Sequence, residues 1–295
     1  MIVIKIYEKD KVIIIEDVAD FNIEQTLECG QCFHFEKISD LEYGVVSMDK
    51  FIHIRQEKDV LYCEQTTLDA VNEYWVKYFD LERDYGKIKK HLINNDDRLR
   101  TAIEEKYGVR ILNQEFEETL MSFIISQNKQ IPHIKQIVRN ISEKYGIFLG
   151  SIGDVKFYSF PDVITLGNIS ENDYKELKTG FRARYLRDAS CKLSDNIIQR
   201  ESFMNMNDEE ARKLLMSITG VGEKVANCVM LFGLGYRSSF PVDVWIKRIM
   251  EDMYFDGNDT KKEVISSFAK QNFGEYGGYA QQYLFYYGRE KNIGK

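Results

Sequence analysis

Gly220-Val221-Gly222 lies between two apolar helical patterns and forces the chain from Leu214 to Met250 into a hairpin. Only glycine takes left-handed backbone angles without a Cβ penalty, so this triplet reads as the turn. Before it, Asn207 and Glu210 have the spacing of a capping box, and Ala211, Leu214, Leu215 and Ile218 fall on one helical face. After it, a second apolar helix runs from about Glu223 to Leu234 and ends at Gly235. Pro241-Val242-Asp243 then suits the start of a third helix, with Asp243 capping it and complementing its dipole.

A hairpin of this kind presents backbone N–H groups at a helix N-terminus, a geometry that binds phosphate. One lysine, Lys224, enters the otherwise apolar second helix, and the carboxylate of Asp243 follows nineteen residues later. Apolar surroundings disfavour an ammonium, so such a lysine can serve as an amine nucleophile. Taken singly, the two are more often a solvated lysine and a plain helix cap. Together they belong to a longer pattern, L-x-x-I-x-G-V-G-x-K-V-A and then P-V-D-V. This pattern resembles the helix-hairpin-helix-GPD motif of DNA glycosylases, specifically the bifunctional 8-oxoguanine type. The resemblance implies that Lys224 attacks the sugar and Asp243 assists.

The net charge of −7 is awkward for a DNA binder, because phosphate contacts want cations. Its distribution answers part of this. Lys175 to Arg200 carries seven Lys/Arg against three acids. The five cysteines, at 29, 32, 63, 191 and 228, have no framework spacing. Cys29-Gly30-Gln31-Cys32 has no second pair to complete a zinc site. No four-cysteine cluster follows the hairpin, which argues against the iron–sulfur branch resembling endonuclease III. No apolar run approaches the ~18 residues of a membrane span. The charged start, MIVIKIYEKDKVIII, is no signal peptide. A monomer in a bacterial cytoplasm, or in the nucleus of a eukaryote, is expected, with no membrane partner.

Residues 1 to about 65 alternate as six strands, IVIKIY, KVIIIE, CFHFE, YGVVSM, FIHIRQ and VLYCEQ. After Thr67 the period becomes helical, and Gly108 to Gln114 reads as a connector. Pro132 sits at a helix start, and the stretch around Gly150 to Gly153 reads as a loop. The chain is therefore expected to be α+β: an N-terminal antiparallel sheet domain with connecting helices over residues 1–112, then a helical catalytic domain over 113–295.

The resemblance assigns further roles. Gln281 and Phe285 are four apart on one helix face, suited to a guanine edge and to stacking, and Cys228 beside Lys224 would press on the other face of the base. The carbonyl of Gly30 would meet the N7–H that 8-oxoguanine has and guanine lacks. Asn128, in Ser126-Gln127-Asn128, would fill the gap left by a flipped base. Phe181 would wedge the stack, and Arg182 would hydrogen-bond the estranged cytosine. Gly220 and Gly222 would let DNA phosphate approach. The carbonyls of Met216, Ile218 and Val221 stand where the family holds a monovalent cation, K+ or Na+; no other cofactor is implied. The sequence departs from the pattern at His133, where relatives often carry an arginine that reads the cytosine, and at Trp245, often a histidine. The expected partner is duplex DNA with 8-oxoguanine, preferably opposite cytosine. A glycosylase for another damaged base and a non-catalytic hairpin DNA-binding module are the alternatives.

Overall fold

The computed structural model describes residues 2–293. Six strands, β1 (Lys5–Lys9), β2 (Val12–Glu16), β3 (Phe35–Ser39), β4 (Glu42–Ser47), β5 (Lys50–Glu57) and β6 (Val60–Glu64), form one antiparallel sheet in the order β1-β2-β6-β5-β4-β3. Their alternation is the reason for the sheet. Ile13, Ile15, Val45, Ile52, Ile54, Leu61 and Cys63 point one way and bury against Trp75, Tyr78 and Phe79, while the intervening residues are more exposed.

The stretch around Gly150, expected to be a loop, is instead a hairpin of β7 (Phe148–Ile152) and β8 (Val155–Tyr158). Gly153 at φ +55° supplies its turn. Phe157 on β8 stacks on Phe51 of the large sheet with ring centroids 4.4 Å apart. That burial, worth about 1.5–3 kcal/mol for a side chain of this size, holds the hairpin against the other face of the sheet.

The remaining regular structure of the described chain is helical. The elements that carry the site are α1 (Ile23–Glu28), α2 (Phe116–Ser126), α3 (Ile131–Tyr145), α4 (Ala183–Ser194), α5 (Asp208–Met216), α6 (Glu223–Phe232), α7 (Val244–Tyr254), α8 (Lys262–Phe273) and α9 (Gly277–Lys291). α2 is apolar nearly all round and forms the axis of the large core, with α6 and α4 packed on it. Tyr85, Ile88, Leu92, Leu99, Ile103 and Val109, which precede residue 113, are buried in that same core.

The connector Gly108–Gln114 is the joint between the two cores. Arg110 is fully buried there and donates to the main-chain carbonyls of Ala19, Asp20, Asp80 and Arg83, with its guanidinium 4.4 Å from the Tyr85 ring centroid. Burial pushes its pKa down, and the carbonyl ring of acceptors is what makes a buried guanidinium tolerable. Gln31 works from the other side: its Nε2 donates to Thr26 O (2.8 Å) and Arg110 O (2.7 Å), and its Oε1 accepts from Leu112 N–H at 2.9 Å.

Candidate active site

The hairpin is built as its sequence requires. Asn207 Oδ1 accepts from the N–H groups of Glu209 and Glu210, and Glu210 returns a bond to Asn207 N, closing the capping box that starts α5. Gly220 takes φ +79°, and a Cβ there would stand 2.4 Å from the ring of Tyr185 on α4. Gly222 is extended at the N-cap of α6, and a Cβ on it would meet open space. Its lack of a side chain leaves the α6 N-terminus uncovered.

Three residues of α4 hold this turn. Beyond Tyr185, Asp188 accepts from Thr219 N–H at 2.7 Å, and Lys192 Nζ bonds both Asp188 (2.6 Å) and Ser217 O (2.9 Å). Burial pushes the Asp188 carboxyl up, but Lys192 and the Thr219 N–H outweigh it and hold the pKa below the usual carboxylate range. Their spacing of three and four residues puts all three on one helical face.

A cleft of about 370 Å³ opens beside the hairpin, lined by Gly30, Phe33, Phe123, Ser126, residues 129–132, Ile134, Lys224, Asp243, Trp245, Phe285 and Arg289. It collects residues from both ends of the chain. Lys224, in the first turn of α6, reaches across so that Nζ lies 3.4 Å from Ser126 Oγ and 5.3 Å from the centroid of the Phe123 ring. Asp243 is the N-cap of α7, accepting from Ile246 N–H at 2.8 Å, and its remaining acceptor capacity faces the same cleft. Gly30 follows the C-terminus of α1 at φ +88°. A Cβ there would crowd Phe285, Ile131 and Arg289, each at 3.3 Å. Gln114 Nε2 donates to Gln31 O at 2.7 Å while Gln114 N–H bonds Phe232 O at 3.0 Å, tying the Gly30 turn to the helix that bears Lys224.

The expected pocket set does not all reach the cleft surface. Cys228 is buried behind Lys224, and burial pushes its thiol up to about 11, despite the nearby lysine charge that lowers it. Gln281 is also buried; its amide donates to Pro241 O at 3.4 Å and accepts from Gln282 at 3.0 Å. Trp245, at the position that departs from the family pattern, lines the cleft, and so do Phe33, Phe123 and Arg289, which no local sequence pattern marks as pocket walls.

The two loops expected at the opposite base sit together at the cleft mouth. Asn128 is exposed at φ +52°, and Phe181 is 54% exposed, with the Arg182 guanidinium 4.3 Å from its ring centroid. Arg182 is placed differently from the expectation of a free reader. It is buried, and its donors go to the carbonyls of Gln127, Asn128 and Thr179. His133 is exposed in the first turn of α3, which Pro132 opens. At the hairpin, Ile218 O accepts from Val221 N–H at 3.0 Å, which leaves a second lone pair on that oxygen; Met216 ends α5 and Val221 lies within the turn.

Residues 13–120 match the family of the 8-oxoguanine DNA glycosylase N-terminal domain, and residues 121–272 match the HhH-GPD superfamily of base excision DNA repair proteins. The chain belongs to the HhH-GPD superfamily. Among solved structures, it is similar to MBOgg1 in complex with a low-affinity DNA ligand, at 39% identity and a TM-score of 0.94, covering 98% of this chain and 99% of that one. The 8-oxoguanine glycosylase/lyase of Clostridium acetobutylicum, bound to double-stranded DNA with cytosine opposite 8-oxoG, gives 37% identity and a TM-score of 0.94, over 99% and 100% of the two chains. A probable N-glycosylase/DNA lyase of Methanothermobacter thermautotrophicus is 29% identical over 94% of this chain and 96% of its own. An HhH-GPD chain with this N-terminal domain is a glycosylase with lyase activity, and the sheet and helical halves described above are the two matched parts.

Proposed function

We propose that this protein excises 8-oxoguanine from duplex DNA and then cleaves the strand at the resulting abasic site. The observation that carries the reading is that Gly30, Phe285, Lys224 and Asp243, drawn from four separate elements, line one cleft. An enzyme that acts on a stacked base must extrude it, and the exposed Phe181 beside Asn128 is the wedge that helps to do so.

With the base in the cleft, its ring lies against Phe285 and the Gly30 carbonyl accepts from N7–H. Guanine presents a lone pair at the same place and is repelled. The Lys224 amine attacks C1′, the N-glycosidic bond breaks, and the base departs with a proton. The ring-opened sugar is left as a Schiff base on Lys224. This draws electrons from C2′, so that a C2′ proton leaves and the 3′ phosphate is expelled. Asp243 stabilises positive charge developing on the sugar. Its bond to the α7 N-terminus fixes the carboxylate while leaving an oxygen for that task.

The hairpin grips a phosphate at the uncovered α6 N-terminus, and a monovalent cation, K+ or Na+, at the carbonyls of Met216, Ile218 and Val221 would add positive field there. No other cofactor enters the scheme. Cytosine is the preferred opposite base, read by Asn128 and by the loop that Arg182 holds; His133 makes that preference looser than an arginine would. The protein acts as a monomer in the cytoplasm or nucleus. Among the described residues no helix is long and apolar enough to cross a membrane.

The test is borohydride trapping on an 8-oxoguanine duplex. Wild type forms a covalent adduct, and Lys224→Gln, which keeps roughly the size but removes the amine, binds the lesion without forming one. Trapping by the variant at the wild-type level would remove Lys224 from the mechanism. Excision of another damaged base in preference to 8-oxoguanine would replace the substrate.

A further inference from the structure

Gly30 and Phe285 meet the same base but come from opposite ends of the chain, and one side chain touches both. Arg289, one turn beyond Phe285 on α9, extends its Nη2 to the carbonyl of Glu28 at 2.8 Å, at the C-terminal end of α1. Its guanidinium carbon lies 5.4 Å from the centroids of both the Phe285 and Tyr286 rings. Its other terminal nitrogen, Nη1, is buried with no hydrogen-bond partner and sits 3.3 Å from where a Cβ on Gly30 would be. A buried N–H left unpaired is destabilising, so the guanidinium is not placed to maximise its own hydrogen bonds. It fills the space beneath the Gly30 turn.

We infer that Arg289 is the positioning residue for lesion discrimination: it fixes the distance between the Gly30 carbonyl and the stacking face of Phe285. This rests on the 8-oxoguanine reading given above. Telling N7–H from an N7 lone pair requires the carbonyl to stand at hydrogen-bond distance from the base edge while the ring is held in plane, and such an interaction weakens steeply with distance and angle. The charge-assisted bond to Glu28 O holds the end of α1. The contact with the Phe285 face holds the ring. Neither contact touches the sugar, so the lysine chemistry at C1′ does not need Arg289.

The experiment is single-turnover kinetics of the full chain on two duplexes, one with 8-oxoguanine opposite cytosine and one with a preformed abasic site. For Arg289→Met, excision of 8-oxoguanine falls at least tenfold, while strand cleavage at the abasic site, where there is no base to place, falls less than twofold. Equal losses on both duplexes would show a general structural role and overturn the inference. No loss on either would overturn it as well. Should Arg289→Met fail to fold, Arg289→Gln, which retains a donor for Glu28 O but no charge, is read on the same pair with the same split expected and the same two outcomes excluding it. Wild type serves as the control for the underlying function: failure of wild type to excise 8-oxoguanine refutes the substrate, whereas an intact wild type with an unsplit variant refutes only Arg289.

Discussion

The guanidinium of Arg182 donates through Nε to the main-chain carbonyl of Gln127 at 2.8 Å, so the helix that follows Phe181 holds the loop that carries Asn128. Further bonds to Asn128 O (3.3 Å) and Thr179 O (3.2 Å) complete the clamp. Arg182 thus stiffens the exposed, positive-φ Asn128 from behind. Replacing it with methionine should destabilise the protein by about 1.5–3 kcal/mol, the worth of a hydrogen bond to a charged group. It should also lower the cytosine preference on the order of tenfold, one lost base-edge contact. Denaturant unfolding and excision opposite each of the four bases measure the two effects; a stability loss with an unchanged base preference would separate the clamp from recognition.

Asp243→Asn should leave folding almost untouched and slow the chemistry. Asparagine caps a helix about as well as aspartate, so unfolding free energy should move by no more than about 0.5 kcal/mol. Loss of the carboxylate should reduce single-turnover excision by about 100-fold or more, the contribution expected of a positioned charge or proton carrier. Lesion binding, measured in parallel, is expected to be unchanged.

His133→Arg should sharpen the choice of opposite base. The position is exposed in the first turn of α3, beside Pro132 on the cleft lining, so a longer side chain has room to extend. Wild type should excise 8-oxoguanine opposite adenine at a measurable rate. The arginine variant should raise the cytosine-to-adenine ratio about 10- to 100-fold, matching about 1–3 kcal/mol for a good base contact. An unchanged ratio would exclude this position from base reading.

Burial holds Cys29 and Cys228 as thiols, with pKa values pushed up to about 12 and about 11. An ordinary thiol ionises near 8.5, so in the unfolded chain these groups lose their protons first. Between the ordinary value and the folded ones the unfolded state binds fewer protons, and folding stability therefore falls as pH rises through that window. Below about pH 8 the contribution is fully present. Native alkylation at pH 8, read by mass spectrometry, should modify the partly exposed Cys191 and spare the four buried cysteines.

Local chemistry made much of this structure legible. The capping box at Asn207, the Gly220 turn, the Asp243 cap and the six alternating strands all follow from residues within a few positions of one another. What escaped depends on distant partners. Gly150 and Gly153 signal a loop, and it is Val46 and Phe51, about a hundred residues earlier, that give Phe157 a reason to hold a strand there. Arg110 looks like one charge in a connector until four carbonyls from two other segments surround it. Arg289 reads as a basic residue in the last turn of a helix, suited to its dipole. Its bond to Glu28 spans nearly the whole chain. Arg182 was legible as a residue of the opposite-base loop but not as one whose donors are already engaged.

The belt of Tyr185, Asp188 and Lys192 along α4 has a metric consequence. Helical rise places Tyr185 and Lys192 about 10 Å apart, with Phe181 just ahead of the first of them. α4 is therefore a ruler: clamped to the hairpin along this span, it sets where Phe181 stands, with its ring 5.9 Å from that of Tyr185. On the proposed reading, the base step that Phe181 would enter is set by counting residues from a phosphate at the hairpin, not by reading the bases between. One inserted residue would swing the stations by about 100° and leave the ruler pointing away from the duplex.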